Sequence, residues 1–179
     1  MPTKKPDAIA LLKQDHREVE DLFEQFEKAK GDDRKEKLCK QICTELIIHT
    51  MIEEEIFYPA FRGKIEDDVL DEAHVEHDGC KMLIAELMNS EPGAEFYDAK
   101  MTVLSEEVKH HVREEEKPSS GMFAQARATK ADMGALAEKL RTRKEELKKE
   151  FEAKGLPTPV TRSLSGASLK FGEPVVAHA

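Results

Sequence analysis

Histidines on the apolar faces of four predicted helices are the residues of this sequence best suited to chemistry. They are His16, His49, His77 and His111, and their apolar neighbours recur at the three- and four-residue spacing of a buried helix face. An ionisable side chain on such a face is costly unless a partner satisfies it. Because one divalent cation can satisfy several imidazoles at once, the pattern predicts a metal site inside a helical bundle.

Two of these histidines are followed by a carboxylate one helical turn later. Glu53 follows His49 and Glu115 follows His111, and residues four apart share a helix face. Imidazole and carboxylate donors together suit iron, manganese or zinc better than calcium or copper. The six donors exceed what one tetrahedral zinc needs and fit two ions bridged by carboxylates, with positions left for water, hydroxide or a small gas.

Two further histidines are candidate ligands of lower rank. His74 lies three residues before His77 and is held in reserve as an additional imidazole. On the fourth helix, the face that carries His111 and Glu115 is more apolar than the face that carries His110. We therefore place His111 inside the bundle and His110 at its rim, although a rotation of about 100° would exchange them.

Start and stop signals divide the chain into four long helices and a C-terminal extension. Asp7 is a typical N-cap, Gly31 a typical stop, and the Glu91-Pro92-Gly93 stretch a clear turn. The predicted helices run from 7 to about 30, from 32 or 33 to 59, from 66 to about 89, from the turn at 91–93 to the interruption at 118–121, and over 122–129 and 132–154.

These elements predict an all-α fold. We expect an up-down-up-down four-helix bundle over residues 1–130, an accessory C-terminal helix over 131–154 and a flexible tail over 155–179, where Pro, Ser, Thr and Gly dominate. In such a bundle the four histidines come to matching levels, two on the odd-numbered helices and two on the even-numbered ones.

Composition limits the partners and the location. The 37 acidic and 28 basic residues give a formal charge of -9, which argues against nucleic acid or an anionic membrane as the partner. No stretch approaches the roughly 18 apolar residues that a membrane span needs. Cys39, Cys43 and Cys80 fall in predicted helices, and we expect reduced thiols in a cytoplasmic protein. We expect a monomer or a weak homo-oligomer that binds a small molecule.

Four short stretches together resemble the hemerythrin family, specifically the bacterial hemerythrin HHE cation-binding domains. The stretches are Asp15-His16, the segment from His49 to Pro59, Glu76-His77, and the segment from His110 to Glu116, and the resemblance covers residues 10–127. It implies an up-down-up-down four-helix bundle around a non-haem di-iron centre, which two carboxylates and an oxo or hydroxo group bridge. Members of the family bind dioxygen reversibly or handle iron, nitric oxide or peroxide.

The chain departs from the oxygen-carrying members in two places. Those members have two histidines four residues apart on the third helix, whereas His74 and His77 are three apart. Their last carboxylate follows its histidine by five residues, whereas His111 and Glu115 differ by four; pairing His110 with Glu115 restores the spacing. If His74 is not a ligand, one iron is more open or uses Glu45 or water, and reaction with oxidants becomes more plausible than reversible oxygen storage.

The resulting hypothesis is a di-iron protein that binds or reduces dioxygen, hydrogen peroxide or nitric oxide, with zinc or manganese as alternative metals. The expected ligands are His16, His49, His77 and His111, with Glu53 and Glu115 as bridges. Asp15, Glu45, Glu76 or Tyr97 would orient the imidazoles. The competing hypotheses are an iron- or oxygen-sensing or iron-storing module without turnover, and a metal-free helical scaffold.

Overall fold

A computed structural model describes residues 5–164 of the chain. Within this range the backbone forms seven α-helices, one π turn and no strand, which confirms the predicted all-α fold. The helices are α1 (Ala8–Lys28), α2 (Asp32–Ile52), α3 (Tyr58–Phe61), α4 (Asp67–Met88), α5 (Tyr97–Glu116), α6 (Met122–Ala128) and α7 (Met133–Lys154), and the π turn covers Glu53–Phe57 between α2 and α3.

Four long helices close the bundle. α1 packs on α2, α2 on α4, α4 on α5, and α5 returns to α1. The side chain of Asp7 accepts a hydrogen bond from the backbone N–H of Ala10, which caps α1, and Gly31 follows the helix with φ +87°. The helix ends at Lys28, two residues before the predicted end.

The second long helix does not end at Pro59, so that prediction was wrong. The chain widens into the π turn and then continues as α3 to Phe61. A proline inside an α-helix lacks an N–H and its ring clashes with the carbonyl four residues back, here that of Glu55. Glu55 lies within the π turn, whose wider winding relieves this clash, and the N–H of Tyr58 bonds to the carbonyl of Glu53 instead.

The C-terminal extension packs along the bundle. α7 lies against α1 and α2, and its buried Leu136, Leu140 and Leu147 join a core cluster that also contains Leu12 and Ile52. None of the helices within residues 5–164 combines the length and the apolarity that a membrane crossing requires.

The flexible tail was predicted for residues 155–179, and its first part is attached to the bundle. The backbone N–H groups of Arg162 and Ser163 donate to Asp78 Oδ2 at 2.7 Å and 2.5 Å, and the hydroxyl of Ser163 donates to the same oxygen at 2.8 Å. Up to Leu164 the structure therefore differs from the prediction, because the carboxylate of Asp78 supplies an acceptor on α4. Residues 165–179 of the predicted tail lie outside the described range.

Replacing Leu140 with Ala tests whether α7 belongs to the core. Leu140 is fully buried, and a buried Leu→Ala change costs about 2–5 kcal/mol of stability. We expect a lower midpoint of urea unfolding with an unchanged slope. Glu145→Ala, at an exposed position of the same helix, is the control with little effect. Equal midpoints for the two variants would contradict the packing.

Candidate metal centre

The four histidines predicted as ligands come together in the middle of the bundle, and all four are buried. Their Nε2 atoms face one another in two pairs. The Nε2 atoms of His16 and His49 lie 3.1 Å apart, and those of His77 and His111 lie 3.2 Å apart. The first pair joins α1 to α2, and the second pair joins α4 to α5, so every long helix contributes one imidazole.

The two predicted glutamates lie between the histidine pairs. Glu53 Oε2 is 3.2 Å from His49 Nε2 and 3.4 Å from His77 Nε2. Glu115 directs Oε2 to His16 Nε2 at 3.4 Å and Oε1 to His111 Nε2 at 3.6 Å. Each carboxylate therefore faces one imidazole from either pair, which is the placement that a bridge between two metal ions requires.

The donor atoms form two overlapping groups that are each compact enough for one metal ion. One group contains His16, His49, Glu53 and Glu115, and the other contains Glu53, His77 and His111, with all donor atoms of a group within 4.8 Å of one another. Glu53 belongs to both groups.

Unsatisfied oxygens indicate that the residues fit a cation. Glu53 Oε1 and Glu115 Oε2 are buried and have no hydrogen-bond partner among the described residues. A buried acceptor without a partner costs about 1–3 kcal/mol, and more when it is charged. A cation between the carboxylates and the imidazoles would remove this cost, and nitrogen and oxygen donors of this kind suit iron, manganese or zinc.

A carboxylate faces the outer nitrogen, Nδ1, of each imidazole. The pairs are His16 with Glu116 at 2.8 Å, His77 with Glu54 at 3.1 Å, His111 with Glu76 at 2.7 Å and His49 with Asp15 at 3.6 Å. An imidazole that donates its Nδ1–H to a carboxylate presents the lone pair of Nε2 to a metal, and the partner also fixes the plane of the ring. Hydrogen bonds of this kind direct the Nε2 lone pairs of His16, His77 and His111 into the centre, whereas His49 Nδ1 and Asp15 Oδ2 lie near each other without a hydrogen bond.

These outer partners were predicted only in part. Asp15 and Glu76 lie beside histidines as expected. Glu45 instead binds Lys148, with 3.0 Å between Glu45 Oε1 and Lys148 Nζ, and Tyr97 packs against Phe26 in the other apolar cluster.

Sequence reasoning missed two of the outer partners, Glu54 and Glu116. Each directly follows a predicted bridging glutamate in an acidic run, and this adjacency was the available signal.

The carboxylates also keep the imidazoles basic. Burial lowers the pKa of His49, but the charge of Glu53 and the nearby Asp15 carboxylate outweigh this effect and raise the pKa to about 10. Burial likewise lowers the pKa of His77, while contacts with Glu53 and Glu54 raise it to about 9. A metal ion therefore competes with protons for these nitrogens, and its binding releases protons.

Tyr58 also faces the centre, and sequence reasoning missed it. The hydroxyl donates to Glu115 Oε1 at 3.1 Å and lies 3.2 Å from Glu53 Oε2 and 3.3 Å from His77 Nε2. In a regular α-helix, residue 58 would lie about 140° around the axis from residue 53. The π turn brings both side chains into the centre, as π turns at functional sites often do.

The two lower-ranked histidines lie outside both donor groups. The ring of His74 meets the ring of Tyr58 edge-on at 5.2 Å, and its Nδ1 lies 3.8 Å from Glu54 Oε1. The side chain of His110 is 52% exposed and contacts Glu76 Oε1 at 3.2 Å, so His111 rather than His110 faces the interior.

A small cavity borders the centre. Its volume is about 20 Å³, and all four of the inward histidines line it together with apolar side chains such as Val19, Leu46, Val108 and Val112. A volume of this size holds one water-sized molecule. The centre therefore adjoins a mostly apolar space of about the size of one water molecule.

A bundle that gathers histidines and glutamates from four helices around a shared centre belongs to the class of carboxylate–histidine metal-binding bundles. Comparison with known families identifies which family of such bundles this chain belongs to. The model of the hemerythrin HHE cation binding domain matches residues 7–123, and the chain belongs to this family of helical cation-binding domains.

Two known proteins are similar to this chain. A hemerythrin HHE cation binding domain-containing protein from Mycobacterium kansasii has the same fold, with a TM-score of 0.71, 22% identity and coverage of 84% of this chain and 95% of the other. A DNA nickase from Nostoc sp. strain PCC 7120 is 27% identical over 117 residues, which are 65% of this chain and 32% of the relative. The chain thus spans about a third of the length of that relative.

Replacing Glu53 with Gln tests the shared carboxylate. The change keeps the shape of the side chain but removes its charge, so we expect the metal content to fall from about two ions per chain to one or fewer. Elemental analysis of the purified protein measures this content. His110→Gln, at an exposed position beside the centre, serves as the control that keeps its metal. Unchanged metal in Glu53→Gln would exclude the role given to Glu53.

Proposed function

We propose that this protein binds two iron ions and uses them to bind or reduce a small molecule such as dioxygen, hydrogen peroxide or nitric oxide. The observation that carries the proposal is the position of Glu53, which belongs to both donor groups. His16 and His49 would hold one ion, His77 and His111 the other, and Glu53 and Glu115 would bridge them.

The donor set supports iron over zinc. A structural zinc site is closed by four protein donors in a tetrahedron, whereas this centre offers four imidazoles, two carboxylates and the hydroxyl of Tyr58. Six or more nitrogen and oxygen donors around two positions suit ions of higher coordination number such as iron or manganese, which are redox-active, whereas zinc is not. Bound iron would supply electrons to an oxidant by changing its oxidation state.

The two ion positions are not equivalent. Tyr58 lies 3.3 Å from His77 Nε2 and so adds an oxygen donor to the group of His77 and His111. The group of His16 and His49 contains Glu115 in addition to Glu53. The two positions would therefore differ in their donors, and the small molecule would bind at the cavity that all four histidines line.

The protein side chains hold and shield this position. The imidazoles are oriented by their outer carboxylates, which restricts each Nε2 to one direction. Val19, Val108 and Val112 line the cavity beside the histidines and limit it to about 20 Å³. The cavity therefore favours very small molecules that are apolar or weakly polar, and it is too small for larger organic substrates.

A sensing or storage module without turnover is the second candidate. One observation favours it: the matched stretch makes up 32% of the Nostoc protein named a DNA nickase, so a domain of this kind occurs within a longer protein. Metal or ligand binding to the folded state would stabilise this chain, and a partner could respond to that change.

Metal analysis combined with absorption spectroscopy tests the proposal. We expect about two irons per chain after purification with iron supplied, and near-ultraviolet absorption that changes on addition of air, peroxide or dithionite. Consumption of many equivalents of oxidant in the presence of a reductant would indicate turnover. A reversible change with about one equivalent per centre would indicate binding without reduction, which the sensing module also requires. Zinc alone, or no metal, would contradict the di-iron function.

Filling the cavity should separate ligand access from metal binding. Val112→Ile adds a methyl group at the cavity, and overpacking costs about 1–3 kcal/mol of stability without removing a ligand. We expect unchanged iron content and a spectral response to oxidant at least about tenfold slower, a barrier change of about 1.4 kcal/mol.

Val103→Ile, on the exposed face of the same helix, is the matched control. Stopped-flow absorbance measures both rates. Equal rates for the two variants would show that this cavity is not where the small molecule reacts.

A further inference from the structure

α7 lies outside the part of the chain that matches the family, and one of its side chains contacts a carboxylate next to the metal centre. The match ends at residue 123, whereas α7 covers Met133–Lys154. Lys144 of this helix places Nζ 2.6 Å from Asp15 Oδ1, and the two side chains are only 16% and 9% exposed. A partly buried ion pair at this distance differs from the exposed pairs that stabilise helices only weakly.

Asp15 connects this lysine to a ligand. Its second oxygen, Oδ2, lies 3.6 Å from His49 Nδ1, and the Nε2 atom of the same ring belongs to the first donor group. Asp15 also directly precedes His16 on α1. One buried carboxylate therefore lies between Lys144 and the imidazole of His49.

Cations accompany most of the outer carboxylates. The pairs are Lys144 with Asp15 at 2.6 Å, Lys81 with Glu54 at 2.7 Å and Arg17 with Glu116 at 2.6 Å. Of these three cations, only Lys144 comes from outside residues 7–123.

The charge of Lys144 matters because the first donor group is strongly acidic. Glu53 and Glu115 are buried within it, and Asp15 adds a third carboxylate beside His49. Asp15 Oδ2 has no hydrogen-bond partner among the described residues, so without Lys144 neither oxygen of this partly buried carboxylate would be paired. With Lys144 in contact, Asp15 has a fixed position from which to orient the ring.

We propose that Lys144 is a positioning residue of the metal centre and that α7 holds His49 in its ligating orientation through Asp15. The proposal rests on the proposed function only in requiring that the centre binds metal. It does not depend on iron, on an oxidant or on turnover. The C-terminal extension would then contribute a positioning residue that residues 7–123 alone do not contain.

The test compares metal release from full-length variants. Lys144→Met removes the charge and keeps most of the apolar stem. Lys148→Met is the matched control, because both lysines lie near Glu45, at 3.7 Å for Lys144 and 3.0 Å for Lys148, whereas Asp15 pairs with Lys144. Changes to residues that orient ligands cost about 10–100-fold in metal affinity. We therefore expect a chelator to remove zinc or iron about tenfold faster from Lys144→Met than from the unmodified chain. The rate of release from Lys148→Met should be unchanged, and that from Lys144→Arg should be close to the rate of the unmodified chain.

A double-mutant cycle distinguishes positioning from plain stabilisation. Asp15→Asn removes the charge that Lys144 contacts, so adding Lys144→Met to it should accelerate metal release no further. Nitrogen NMR shifts of the His49 ring in the metal-free protein should change in Lys144→Met and not in Lys148→Met. Circular dichroism verifies that each variant is folded.

Three results would each overturn the proposal. The first is equal release from Lys144→Met and Lys148→Met, and the second is additive effects in the cycle. The third is loss of folding in Lys144→Met together with release from Lys144→Arg as fast as from Asp15→Asn. If the unmodified chain binds no metal, the proposed function is contradicted. If the chain binds metal but one of the three results is obtained, only the role proposed for Lys144 is contradicted.

Discussion

The burial of Glu53 and Glu115 between two pairs of imidazoles is the constraint on which the rest of the structure depends. Burial raises the pKa of Glu53, but His49 and His77 hold it well below its usual range, so the carboxylate remains charged in the interior. No lysine or arginine among the described residues contacts either glutamate. Their charge can be met only by protonated imidazoles or by metal ions, and this requirement brings one side chain from each of the four long helices to a single level.

Apolar packing on both sides of this level stabilises the bundle around the buried histidines and glutamates. One core cluster contains Leu12, Ile52, Phe57 and residues of α7, and the other contains Ile42, Ile84 and further residues of α2, α4 and α5. The two clusters lie on either side of the polar layer, in which the paired Nε2 atoms are 3.1 Å and 3.2 Å apart.

Helical periodicity predicted the inward residues because each of them obeys a regular helix. His16, His49, His77 and His111 sit on apolar stripes, and Glu53 and Glu115 follow by one turn, so the 3.6-residue repeat suffices. Tyr58 escaped prediction because it reaches the centre through a π turn, where the repeat changes locally. Glu54 and Glu116 were not predicted because each lies in a run of glutamates with the same chemistry. Which glutamate of a run contacts a histidine depends on where the imidazole lies in the folded chain.

The centre also changes how the net charge of the chain should be understood. The formal charge of -9 counts every acidic residue equally, although Glu53 and Glu115 are buried and Asp15 is paired with Lys144 in the structure. Two divalent ions would add four positive charges at a point that no partner touches. The negative charge that a partner meets is therefore carried by the outer faces of the helices, where acidic and basic residues alternate and pair, as Arg143 and Glu55 do at 2.7 Å. A charge summed over the sequence therefore includes the carboxylates of the centre, whereas a macromolecular partner meets only the charges of the surface residues.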